Sequence, residues 1–446
     1  MSNSPTDLLF PLLGGKDICC RFDGGEITSD AGLLFLAQAD RKLGLTEHIA
    51  EQIVDRREPG KVAHSVLDLL RERIYALCAG YEDANDLDSL KADPALLLAC
   101  GKKLTSQQAL ASQPTISRLE NSLDSKDLFC LALALAELVI GGLPKSTKAV
   151  VLDVDATEDA CHGQQEFEFF NGYYDSHCYV PLLLYVTAED GRQRLLGALL
   201  RPGNASATVG LLGLLRRAIR LLRKRFSQVT ITLRADSAFG QEGVLSFCRE
   251  QKIDYVLGLP QNRRLRAISA GLEAAVKKEA ADQQAPLRRF TRFFYQADSW
   301  QQAEQVVCKV EWLSDKLNVR FLVHNRKNET SEQTYRFYCE RGDRENRIKE
   351  IKQDLFSGRT SCCRFLANQF RLLLSAAACV LWNTVQEALS GTEWAKTQIG
   401  SLRLRLLKVG ARVVATCRRI WLHLPSSYPF QDLWQHLYRQ LVPAPG

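Results

Sequence analysis

From Lys148 onward the chain stops reading as amphipathic helix and becomes a succession of short, apolar, β-branched runs. That order restricts the fold more than any other feature. AVVLDVDAT, residues 149–157, comes first; it ends in acid and reads as a central strand. CYVPLLLYVTA and RQRLLGALLRPG follow, separated by Glu189-Asp190-Gly191, a turn suited to a hairpin. A long helix is predicted through ATVGLLGLLRRAIRLLRKRF, with its apolar residues on one side and Arg216, Arg217, Arg220, Arg223 and Lys224 on the other. VTITLRAD is the next strand, a helix follows near Glu242–Gln251, and DYVLGLP is another strand. The order is therefore three antiparallel strands, helix, strand, helix, strand. Asp155 and Asp236 each close an apolar run, where side chains emerge from a core.

Residues 338–352 read YCERGDRENRIKEIK. On a helix at 100° per residue, Tyr338, Arg341, Glu345 and Lys352 fall at about 0°, 300°, 340° and 320°. A phenol, a guanidinium, a carboxylate and an ammonium thus share one stripe. Ile348, Ile351 and Leu355 form a face beside it that can pack on a core, and Asp343, Asn346, Arg347, Glu350 and Gln353 take the other side. Such a stripe can be a solvated edge laced with ion pairs. It can also be an acidic metal ligand flanked by phosphate holders, Arg as a fork, Lys as a point charge and Tyr as a donor. Likewise, one Asp at a strand end is more often a turn or helix-cap residue. The combination favours a site.

That combination resembles a known family. Y-x2-R-x3-E-x6-K is the signature of DDE transposases of bacterial insertion sequences, and Tyr338, Arg341, Glu345 and Lys352 match it at all four positions. The wider wording, LDVDAT, RADSAFG and RGDRENRIKEIK, is similar to the insertion-sequence-1380 group. The resemblance covers most of the chain. It implies an α/β fold with an RNase H-like catalytic core, in which acids at the ends of the first and fourth strands lie side by side. It implies that Asp155, Asp236 and Glu345 are the catalytic carboxylates and hold two Mg²⁺ ions, with Mn²⁺ able to substitute. Mg²⁺ prefers such hard oxygen ligands, and a metal pair suits phosphoryl transfer. Tyr338, Arg341 and Lys352 would bind DNA phosphates. Asp155 is the aspartate before Ala-Thr; Asp153, two residues away on the same side of a strand, would support the ligands or replace one. Trp300 would stack on an unpaired base at a cleaved end, or else pack as a half-buried sheet residue.

The partners implied are double-stranded DNA, both element ends and target, and a second copy of the chain, since two ends must be held together. Two alternatives remain at this level: an inactive DNA-end-binding regulator, and a Mg²⁺-dependent RNase H-like nuclease.

The rest of the chain sorts around this core. Residues 1–145 are predicted as an all-α domain that binds DNA ends. Thr28-Ser29-Asp30 can cap a helix that stops at Gly44, and HSVLDLLRERIYALCAG ends on Gly80. Helical pieces broken at Gln113-Pro114 offer Thr115, Ser117 and Arg118 to a DNA groove or to a neighbouring helix. The core occupies 146–262 and 336–390, divided by an inserted β-rich subdomain over 263–335 with the runs RRFTRFFYQADSW, QVVCKVEWL and VRFLVHN. Residues 391–446 form a basic, mostly helical C-terminal region with a strand pair inside LRLRLLKVGARVVATCRRIWLHLP.

A net charge of +7 over 446 residues favours a polyanionic partner without demanding one. Fourteen cysteines with no C-x-x-C read as reduced small hydrophobes in a cytosolic protein, not as zinc ligands. The N-terminus lacks the basic start and long apolar core of a signal peptide, and the apolar stretch 128–143 is short for a span and carries Glu137. The expectation is a cytoplasmic protein, nucleoid-associated when on DNA, with no membrane partner.

Overall fold

The computed structural model describes residues 8–13, 16–104, 109–283, 286–313 and 316–443, with backbone alone at 9, 11–13, 17, 283 and 343–345. The chain packs as two compact units. One comprises 1–50, 55–119 and 381–446, and the other 51–54 and 120–380.

The first unit is helical but not wholly so. Helix Leu33–Leu43 stops at Gly44, and helix Val66–Ala79 stops at Gly80, both glycines in the left-handed region with φ of 69° and 98°. Any side chain there would be strained, which is why the sequence could announce both ends. Ser65 and Asp68 close a capping box at the start of the second helix. Asp40 is buried and accepts hydrogen bonds from the Thr46 backbone and from the Thr46 and Tyr75 hydroxyls. The expected C-terminal strand pair forms from Ala411–Ala415 and Ile420–His423. It pairs with Ile27–Thr28 of the N-terminal segment, so residues 391–446 are part of this unit rather than a separate region. Gly32 lies so close to Leu406 that an added Cβ would fall 1.8 Å from its carbonyl oxygen. Phe35 meets Trp434 of helix Gln431–Leu441 edge to face at 4.8 Å. Leu8–Leu13 and Lys16–Cys20 pair as an antiparallel hairpin that helical periodicity gave no reason to expect.

The second unit is built on one mixed sheet of eight strands. In chain order these are β1 (Ala149–Ala156), β2 (Leu182–Thr187), β3 (Gln193–Leu199), β4 (Thr230–Ala235), β5 (Asp254–Leu259), β6 (Leu287–Tyr295), β7 (Glu304–Leu313) and β8 (Lys316–His324). Their spatial order is β6-β7-β8-β5-β4-β1-β2-β3. β2 runs antiparallel to its neighbours β1 and β3, while β4 runs parallel to both β1 and β5. This α/β arrangement is compatible with an RNase H-like core. The central strands are covered on both faces, which is why they read as unbroken apolar runs: Leu152, Val154, Leu233, Val256 and Leu257 are all fully buried.

Helices of this unit include α1 (Ser125–Gly141), α2 (Leu211–Arg225), α3 (Glu242–Gln251), α4 (Arg263–Gln283), α5 (Ser331–Cys339) and α6 (Asp343–Lys349). Because α1 packs on β3 and α2, residues 120–145 belong here and not with the N-terminal helices, as a boundary at 145 had anticipated. The insertion over 263–335 also differs from expectation. Its three strands form, but β8 pairs antiparallel with β5, so they lengthen the core sheet instead of making a subdomain of their own. An open β5 edge would have left a row of unpaired peptide groups, and β8 satisfies them. A small three-stranded sheet (Asp159–Ala160, Phe169–Asn171, Ser176–Tyr179) fills the β1–β2 connection. Among the described residues one helix, Phe365–Ala388, is long and apolar enough to cross a membrane, but 78% of its apolar window is buried in the protein.

Candidate active site

β1 and β4 lie side by side in parallel register, with Asp153 opposite Arg234 and Val154 opposite Ala235. One residue further along each strand come Asp155 and Asp236. Side chains two apart on a strand share a face, so the D-V-D of β1 and the R-A-D of β4 stack two charged rows. The inner row is an ion pair and the outer row is two acids.

The inner row is closed. Asp153 and Arg234 are 0% and 4% exposed. Arg234 donates through Nε to Asp153 Oδ1 at 2.7 Å and through Nη2 to Oδ2 at 3.0 Å, and Gln193 adds a hydrogen bond to Oδ2. The third guanidinium nitrogen, Nη1, donates to the Phe337 carbonyl at 2.6 Å and reaches Glu340 at 3.3 Å. The Phe337 ring lies between the guanidiniums of Arg234 and Arg326, 4.8 and 4.1 Å from its centroid. Arg234 therefore ties the middle of the sheet to the segment that leads into Arg341. Asp153 is engaged in a buried fork and is not an open ligand. Sequence reading passed over Arg234, although an Arg in the interior of an apolar strand is a signal that some buried acid must meet it.

The outer row is partly exposed, with the Asp155 and Asp236 side chains 13% and 30% accessible. Asp155 Oδ1 accepts from the Ala156 backbone at 2.9 Å, and Asp236 Oδ1 accepts from Ala238 at 2.8 Å as the cap of a short 3₁₀ turn. Their Oδ2 atoms both face Arg341 Nη2, at 3.0 and 3.4 Å. Burial works against the charge on Arg341, yet Asp155, Tyr338 and Asp236 outweigh it and hold the guanidinium pKa above its ordinary value.

The stripe expected from one continuous helix is not a single helix. Tyr338 closes α5, a 3₁₀ turn spans Glu340–Gly342, α6 follows, and a π-helical turn covers Glu350–Asp354. Each change of pitch resets the angle per residue, so a single angle per residue does not describe the run from Tyr338 to Lys352. Tyr338 packs into the core with Val256, Val307 and Leu322. Lys352 donates to the Glu158 carbonyl at 2.6 Å, near Asp159, whose carboxyl burial pushes up to about 6. Ile351 and Leu355 are buried as the apolar face required, whereas Glu350, set on the polar side, is buried in an ion pair with Arg347 at 2.5 Å. Glu345 belongs to α6, but its side chain lies outside the described residues.

Gly258 on β5 holds the back of this site. A Cβ there would sit 2.9 Å from the Tyr338 hydroxyl, 2.7 Å from the Ser237 nitrogen and 3.0 Å from the Asp236 carbonyl carbon. Gly258→Ala is thus expected to destabilise the protein by about 1–3 kcal/mol through overpacking, read by urea denaturation, and to displace Asp236.

Trp300 is only 5% exposed and meets Tyr295 edge to face at 5.6 Å, which is the packed-residue alternative of the two expected for it. The basic side of α2 is partly engaged as well, with Arg216 over Phe247 and Arg217 over Phe129.

The outer acids suit a divalent cation. Two carboxylates converge on one positive nitrogen with their second oxygens already held by backbone, and both are hard donors. Among the described residues no group of three or more His, Cys, Asp or Glu is arranged for a metal ion. The family model described as transposase DDE domain, group 1, matches residues 10–445. No curated protein matches the chain.

Proposed function

The chain belongs to the DDE transposase family, and from that premise we propose that it binds the terminal inverted repeats of its own insertion sequence and carries out metal-dependent strand cleavage and strand transfer. The observation that carries this reading is the pair of Oδ2 atoms, on Asp155 and Asp236, turned toward one cationic nitrogen at the ends of adjacent parallel strands. Asp155 and Asp236, with Glu345 as third acid, would hold Mg²⁺, with Mn²⁺ as a substitute. When bound, the metal supplies Lewis-acid polarisation of the phosphodiester and a water of lowered pKa.

The chain's own residues do the positioning. Asp155 and Asp236 are pre-set by their backbone hydrogen bonds, so neither carboxylate has to search for its orientation. Arg341 balances the two acids and, with DNA present, has a phosphate as an alternative partner for its fork. The Tyr338 hydroxyl against Gly258 and the Lys352 ammonium at Glu158 flank the acids on separate elements, consistent with holding backbone on either side of a cut. A hydroxyl freed by the first cleavage would then attack a second phosphodiester at the same carboxylates. Two ends must be held together, so the working form is a homodimer. The protein would act in the cytoplasm, at the nucleoid.

The direct test is Mg²⁺-dependent nicking of a duplex taken from the DNA that borders the coding sequence. A protein that grips this duplex and never cuts it would be an end-binding regulator. A separate expectation concerns the phosphate holders. Removing Lys352 or Arg341 should leave metal binding in place while lowering cleavage, and each lost contact should reduce the salt slope of DNA binding by about 0.9. An unchanged slope would assign that side chain to its internal hydrogen bond alone.

A further inference from the structure

The net charge of this protein is unevenly placed. Between Trp394 and Gln431 there are seven Lys or Arg and no Asp or Glu, against +7 for the whole chain. The remainder of the chain is therefore electrically balanced, and the excess resides in one segment of the first compact unit.

Part of that charge is used internally. Arg403 is buried and donates to the Cys78 carbonyl at 2.9 Å, Lys408 pairs with Asp30 at 2.7 Å, and Arg405 lies over the rings of Trp394 and Phe430. Arg412, Arg418 and Arg419 are different. All three are exposed on the hairpin Ala411–His423, and among the described residues no carboxylate pairs with any of them. The hairpin is anchored at its base, where Ala411 and Arg412 pair with Thr28 and Ile27, and its turn is closed by Thr416 and Arg419. Arg412 and His423 stand opposite each other, with Val414 and Trp421 the next pair on the same face. Trp421 is 48% exposed, stacked on His423 at an interplanar angle of 18°, with Arg419 5.9 Å from its ring centroid. A two-stranded arm carrying exposed guanidiniums beside an exposed ring is the chemistry of a polyanion track.

We infer that the hairpin Ala411–His423 is a docking surface for the phosphate backbone of duplex DNA, with Arg412, Arg418 and Arg419 as its contacts. This rests on the transposase reading for the identity of the polyanion. Phosphate contacts carry little sequence information, so the arm adds affinity and orientation, not choice of site.

The experiment is fluorescence anisotropy of the full-length protein on two labelled duplexes, one from the DNA bordering the gene and one scrambled, over a range of salt. The triple variant Arg412→Gln/Arg418→Gln/Arg419→Gln should lose about 2.7 from the slope of log affinity against log salt, at about 0.9 per contact, and equally on both duplexes. The corresponding triple Lys variant should keep the slope. Arg418→Gln/Arg419→Gln, confined to the turn, should lose about 1.8 and covers the case in which the triple variant misfolds. An unchanged slope in a variant with an unchanged melting curve overturns the inference. A wild-type protein that cuts DNA but shows that result loses this inference and keeps the transposase reading. One whose binding depends on the hairpin but which never cuts keeps the inference and loses that reading. A protein that binds neither duplex loses both.

Discussion

Alanine at Asp155, Asp236 or Glu345 should each reduce Mg²⁺-dependent cleavage of an element-end duplex by at least about 10³-fold, about 4 kcal/mol of barrier, with binding of the duplex retained. The asymmetry has a physical origin. Binding draws on many phosphate contacts, whereas the chemical step depends on the few oxygens that hold a metal. Single-turnover cleavage and anisotropy on the same preparations separate the two. For Asp155 and Asp236 the expectation rests on their convergence at Arg341, and for Glu345 on its place in the Y-R-E-K signature and in α6. Cleavage that survives in Asp155→Ala and disappears in a stably folded Asp153→Ala would reverse the choice between those two aspartates.

The second large effect is on stability. Arg234→Met removes the forked guanidinium partner of the buried Asp153 carboxylate, and removing one partner of such a pair costs about 3–5 kcal/mol. Urea denaturation should show that loss as a lower midpoint with little change in slope. The double variant Asp153→Leu/Arg234→Met should recover most of it, because apolar groups of similar volume often replace a buried pair at no net cost. Cleavage should stay low in the double variant, since the tie from Arg234 to the Phe337 carbonyl and Glu340 is still missing. Full recovery of cleavage would show that the pair serves folding only.

How much of this was legible beforehand depends on the range of the interaction. The strands of the core, the hairpin turn after Thr187, the helix stops at Gly44 and Gly80 and the acids at the ends of β1 and β4 are local properties of the chain. Backbone freedom, side-chain branching and alternation decide them within a few residues, and so they can be read in order. Candidate site residues could be nominated by residue type and spacing together with the family resemblance those residues carry. The partner of each could not be nominated. That Asp153 meets Arg234 while Asp155 meets Arg341 depends on a parallel register between strands some eighty residues apart, as well as on the Phe337 carbonyl above them.

The breaks in pitch between Tyr338 and Lys352 were hidden for a related reason. A helical wheel presumes one angle per residue, whereas this run passes through 3₁₀ and π turns and buries Glu350 against Arg347. Trp300 shows the limit at a single residue: its type suggests a base platform, but its neighbour Tyr295 makes it core. Domain limits followed the same rule. Gly141-Gly142-Leu143-Pro144 is a true break in the helix, yet α1 before it packs on β3, and residues 381–446 complete the core of a unit begun at the N-terminus. The sequence by itself determined which segments are strands and helices and which residue types stand at their ends. Tertiary structure alone decided which of those residues face one another, because burial and charge pairing act between segments distant in the chain, where no local pattern records them.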